Sequence, residues 1–147
     1  MNKYREMRER QQKEFNEFPM LCAYSMKQLE EEMAKHGVKD TSELVSVFSG
    51  CFIKKTDREA FHAMFSRLNK ELEEAYKDDK FLHDAFYEEL ANHEFCITGD
   101  WEPTIDALGI SLAVFDAETG DERVQRIAYE AKRDYMASVI AWEAENA

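Results

Sequence analysis

Apolar residues recur at helical spacing along most of this chain, in stretches separated by short polar breaks. Tyr4, Met7, Gln11, Phe15 and Phe18 form one narrow stripe of a helix over 2–18, with charged residues elsewhere on it. Pro19 closes that helix, because the residue before a proline avoids helical torsions. Met20-Leu21-Cys22-Ala23-Tyr24 is a short apolar run between Pro19 and Ser25 and reads as a strand. Ser25 is placed to cap a helix to about His36 that turns Leu29 and Met33 inward, with Gly37 just past its end. Asp40 or Thr41 opens a short helix through Val47.

Cys51-Phe52-Ile53-Lys54-Lys55 reads as a second strand. Thr56-Asp57-Arg58-Glu59 has the capping-box pattern. The helix it opens carries Phe61, Met64, Phe65, Leu68, Leu72, Ala75 and Tyr76 on one face. Asp78-Asp79 interrupts the period and starts a further helix. There Phe81, Leu82, Ala85, Phe86 and Leu90 face inward, and Asp84, Glu88 and Glu89 are expected toward water or a partner. Phe95-Cys96-Ile97-Thr98 reads as a third short strand. Asp100 caps a short helix with Pro103 in its first turn and Gly109 at its end. Residues 110–120 fit either a helical turn or a strand entering the turn at Glu118-Thr119-Gly120. From Asp121 a long helix turns Val124, Ile127, Ala128, Ala131, Tyr135, Val139 and Trp142 inward. The expected fold is mainly α (α+β), with about five to six helices and a small two- or three-stranded sheet. A length of 147 residues fits one domain over 1–147.

Composition agrees with a packed core, since 44% of residues are apolar and 12% aromatic. The net charge of −12 changes the picture more. Residues 78–120 hold one base, Lys80, against eleven acids, so most of the imbalance sits in under a third of the chain. Phosphate repulsion then opposes direct nucleic-acid binding by this stretch. No apolar run approaches the roughly 18 residues of a membrane span. The N-terminus lacks the apolar segment of a signal peptide, which points to the cytoplasm and away from membranes. Cys22, Cys51 and Cys96 are odd in number, lie beside apolar residues and form no CxxC pair. They are expected to be reduced, buried and inert.

Candidate chemistry concentrates in Glu88-Glu89-Leu90-Ala91-Asn92-His93-Glu94. Glu89 and His93 are four residues apart on one helix face and could both ligate a metal. A third ligand would have to come from His62, Asp84 or a distant acid, and the HExxH pattern is absent. A His–Glu contact near a helix end accounts for the same residues without a metal. Asp116-Ala117-Glu118-Thr119-Gly120-Asp121-Glu122 fails the calcium-loop pattern, because Gly120 falls at the fifth position and Ile127 at the twelfth. No phosphate loop, nucleophile elbow or dinucleotide fingerprint occurs. No cofactor is implied, and an enzyme is the less favoured reading.

The run Glu89-Leu90-Ala91-Asn92-His93-Glu94-Phe95-Cys96-Ile97-Thr98-Gly99-Asp100, followed by Thr104-Ile105-Asp106-Ala107-Leu108-Gly109, resembles a family of small uncharacterised proteins of gut bacteria. The opening from Tyr4-Arg5 to Phe18-Pro19 and the Phe52-Ile53-Lys54-Lys55-Thr56-Asp57 segment are also similar to it. The resemblance implies genes carried by phage and conjugative elements, and it assigns no catalytic residue. Three readings follow. The acidic stretch docks a basic partner, such as a nucleic-acid-binding host protein, through Asp84, Glu88, Glu89, Glu94, Asp100, Glu102 and Asp106. Alternatively Glu89 and His93 belong to a metal site, or the 2–18 helix joins copies into a homo-oligomer.

Overall fold

The computed structural model describes residues 1–147. Seven α-helices and three short strands follow one another: α1 (Lys3–Glu17), β1 (Leu21–Cys22), α2 (Met26–Lys35), β2 (Leu44–Phe48), β3 (Cys51–Lys54), α3 (Arg58–Ala75), α4 (Asp79–Asn92), α5 (Phe95–Thr98), α6 (Glu102–Leu108) and α7 (Glu122–Glu145). The fold is mainly α with a small antiparallel sheet of order β1-β3-β2. No helix is long and apolar enough to cross a membrane. The chain divides into two compact units, Met1–Glu9 with Leu72–Ala147, and Arg10–Glu71.

The Arg10–Glu71 unit holds the sheet. Ser25 caps α2 as its position requires, its hydroxyl accepting from the Gln28 amide. Asp40 and Glu43 form a capping box, but around a single 3₁₀ turn, Thr41–Glu43. The chain then leaves as β2 rather than continuing as a helix through Val47. Val45 and Val47 alternate with Ser46 and Phe48, a period of two that suits β-branched residues. α3 is entered through a second 3₁₀ turn, Lys55–Asp57, and not through a Thr56 cap. Phe15, Phe18, Phe48, Phe61 and Phe65 meet edge to face, with ring centroids 4.9 Å apart for Phe61 and Phe65. Edge-to-face contacts suit the ring quadrupoles.

The expectation of three reduced, buried cysteines is corrected here. Cys22 and Cys51 are directly opposite across β1 and β3, with Cα atoms 4.1 Å apart, and form a disulfide. Cys96 is free and exposed. The pair is 29 residues apart in sequence, and only the strand register brings it together.

The second unit is built around α4. Asp78 caps it through the Phe81 amide, and between Phe81 and Leu90 every side chain but His83 and Tyr87 is buried. α7 lies along it, with Ile127, Ala128, Ala131 and Tyr135 inward. Tyr4 of α1 packs on Phe81. Phe95–Thr98 is a single helical turn, α5, rather than a strand; Glu94 and Gly99, both with positive φ, bound it. The third strand of the sheet is therefore 44–48 and not 95–98. Residues 110–120 resolve to a 3₁₀ turn, Leu112–Phe115, closed by hydrogen bonds from the Gln125 side chain to the Val114 and Asp116 carbonyls. Trp142 keeps the phase of the inward stripe but is 64% exposed, because the core ends at Tyr135.

Candidate functional site

Charge is divided between the units. Arg10–Glu71 carries ten Lys and Arg against ten Asp and Glu; the other unit carries nine against twenty-one. The whole net charge thus belongs to the α4 unit, where the candidate residues also lie.

Asp84, Glu88 and Glu89 were expected to face outward. All three are at most 9% exposed, and each is satisfied within the chain. Lys80, one turn before on α4, meets both Asp84 oxygens at 2.8 and 2.9 Å. Arg5 binds Glu88 through two hydrogen bonds of 2.7 Å, the bidentate geometry that guanidinium favours. The Tyr4 hydroxyl donates to one Glu89 oxygen at 3.0 Å, and His93 meets the other at 3.1 Å. Burial, and then the Glu89 charge, hold the Tyr4 phenol far above its ordinary range, so it remains a donor. His83 bridges Asp84 of α4 and Asp134 of α7, at 3.4 and 2.7 Å, and its hydrogen bond holds the Asp134 carboxyl below the usual range. These carboxylates fasten α1 and α7 to α4.

The same geometry bears on the other readings. Glu89 and His93 do share a face, but Tyr4 occupies the second Glu89 oxygen and Asp84 is held by Lys80 and His83. His62 is exposed and lies in the other unit. No three His, Cys, Asp or Glu side chains gather where a metal ion could be held. The stripe of α1 is covered by the chain itself. Tyr4 and Gln11 are buried, while Met7, Phe15 and Phe18 pack on neighbouring cores.

Glu94, Asp100, Glu102 and Asp106 are different. All four are exposed and none forms an ion pair within the chain. Glu94 follows the last turn of α4 in the left-handed conformation, φ 52°, at a place where glycine is usual. Asp100 accepts from the Glu102 amide and so orients the entry to α6. They line the path from the end of α4 through α5 and α6.

Residues 3–134 match a family of unknown function, DUF7659. The chain belongs to this family. No curated protein and no solved structure matches it. The DUF7659 match takes in the internal carboxylate pairs and the exposed acids alike, and it stops just before Tyr135, where α7 leaves the core. Arg5, Tyr4 and Asp134 carry no sequence signal for their roles, since each pairs with a residue more than fifty positions away.

Proposed function

We propose that this DUF7659 chain is an interaction protein rather than an enzyme, and that its acidic unit docks a basic protein. The observation that carries the reading is the contrast among its carboxylates. Those on the body of α4 are held by partners within the chain, whereas Glu94, Asp100, Glu102 and Asp106 are exposed and form no ion pair. An unpaired acidic rim steers cationic surfaces and opposes anionic ones. A nucleic-acid-binding protein fits as the partner, because its basic face already accepts closely spaced negative charge. A cytoplasmic role in a phage or conjugative element accords with the resemblance in the sequence.

The test compares the natural chain with a variant carrying Glu94→Gln, Asp100→Asn, Glu102→Gln and Asp106→Asn. Proteins captured at low salt are identified, and the purified pair is titrated as salt rises. The expected result is a basic partner whose affinity falls steeply between about 50 and 300 mM salt and which the variant no longer holds. Capture of the same proteins by the variant, or of nothing basic by either, rejects the reading.

A further inference from the structure

The acidic unit leaves Ile97 of α5 and Trp142 of α7 among its exposed apolar side chains. Tyr135 is the last fully buried residue of α7, and its phenolic oxygen accepts from the Cys96 amide at 3.4 Å, which sets α5 against this end of the helix. Val139 packs at the rim of the Leu90–Phe95–Tyr135 cluster. Trp142 follows on the same helix face as Tyr135, two turns on. Ile97, beside Cys96, is 78% exposed. α5 therefore lies beside the 135–139 stretch of α7, with Ile97 exposed on the first element and Val139 and Trp142 on one face of the second. Glu94 and Asp100 flank α5, and Glu143 and Glu145 lie at the end of α7, none of them ion-paired. Lys132, the cation closest in sequence on this helix face, holds its ammonium 5.6 Å from the centre of the Phe95 ring.

We infer that α5 and this end of α7 together seat an amphipathic basic helix of a partner protein. Its apolar side chains cover Ile97, Val139 and Trp142, and its Lys or Arg residues reach the surrounding carboxylates. Large apolar anchors at the centre with charges at the rim are the arrangement that concentrates binding energy, and an amphipathic helix presents both at once. Charge complementarity selects the occupant. A second copy would set one unit of nine cations and twenty-one anions against another, whereas a basic helix meets that excess with the opposite sign. The inference rests on the interaction reading above and adds an apolar anchor to it.

Two synthetic peptides of equal length and charge test it on the full chain, one of Leu and Lys at helical spacing, the other of Ser and Lys. The Leu/Lys peptide is expected to bind at least about tenfold tighter than the Ser/Lys peptide. It should shift the tryptophan emission to the blue, and Trp142→Phe should remove that shift. Ile97→Ser, at an exposed position, should weaken binding about tenfold, while Tyr24→Ser, equally exposed but in the other unit, should leave it unchanged. Equal, salt-sensitive binding of both peptides overturns the apolar seat and leaves the charge reading standing. Binding of neither overturns both. A doubled mass of the free chain in light scattering, returned to a monomer by Ile97→Ser, overturns the basic helix in favour of a second copy.

Discussion

Glu94 shows most directly how a single residue can trade stability for exposure. It sits past the end of α4 with φ 52°, a conformation that costs any side chain with a Cβ and costs glycine little. Glu94→Gly is expected to raise stability by up to about 1 kcal/mol in urea unfolding while weakening the contact with a basic partner. A loss of stability instead would mean that the carboxylate itself holds the turn. Gly120 presents the opposite case. A Cβ there would overlap the carbonyl oxygens of Val114 and Asp116 and the Gln125 amide, so close approach and not torsion demands glycine. Gly120→Ala should cost more than about 2 kcal/mol, read as a lower thermal midpoint. The residues with unusual surroundings were only partly legible. Glu89 and His93 stand out because four residues of spacing is a local rule. Tyr4 and Arg5 do not, because their partners lie across the fold.

Among the elements, local chemistry was readable where it acts within a few residues. Ser25, Asp78 and Asp121 cap α2, α4 and α7 as their positions suggest, and Pro103 lies in the first turn of α6. Short apolar runs were ambiguous for a physical reason. Four or five residues fit a strand or a helical turn equally well, so 44–48 and 95–98 exchanged identities once tertiary pairing decided them. The sheet also contains the one covalent crosslink. β1 has only two paired residues, Leu21 opposite Phe52 and Cys22 opposite Cys51, so the disulfide supplies much of what fixes this strand. Closing a loop across a separation of 29 residues removes unfolded-chain entropy worth about 3.6 kcal/mol. Changing Cys22→Ser and Cys51→Ser together should lower stability by roughly that amount and speed amide exchange in β1 and α2. Unchanged exchange would show that the buried Leu21, Leu29 and Met33 hold the segment without the bond.

For the molecule as a whole, pH dependence follows from the pairing of its acids. The His83 hydrogen bond depresses Asp134, the Arg10 guanidinium depresses Glu71, and the Thr119 and Glu118 amides depress Asp116. A depressed carboxyl binds fewer protons folded than unfolded. Its contribution is complete above the unfolded range near about 4 and disappears as acid protonates the folded form. Thermal midpoints should therefore fall between about pH 5 and 2, and Asp134→Asn should make that fall shallower. At the alkaline end burial has pushed Tyr76 up to about 12, so its share of stability is present below the unfolded value and is lost as pH rises through the folded one. Pattern reading gave the inward face of α7 through Val139 but wrongly carried it on to Trp142, since where the core stops depends on how far α4 and α5 reach. Past Tyr135 only Met136 and Val139 still pack on the core, so the last turns of α7 rely mainly on their own backbone hydrogen bonds and fray. A partner that needs Trp142 on a formed helix binds in proportion to the fraction of time that helix exists. Ala137 and Ala141 consequently act as an entropic volume control: Ala→Gly at either should weaken the Leu/Lys peptide about fivefold without altering any atom it touches.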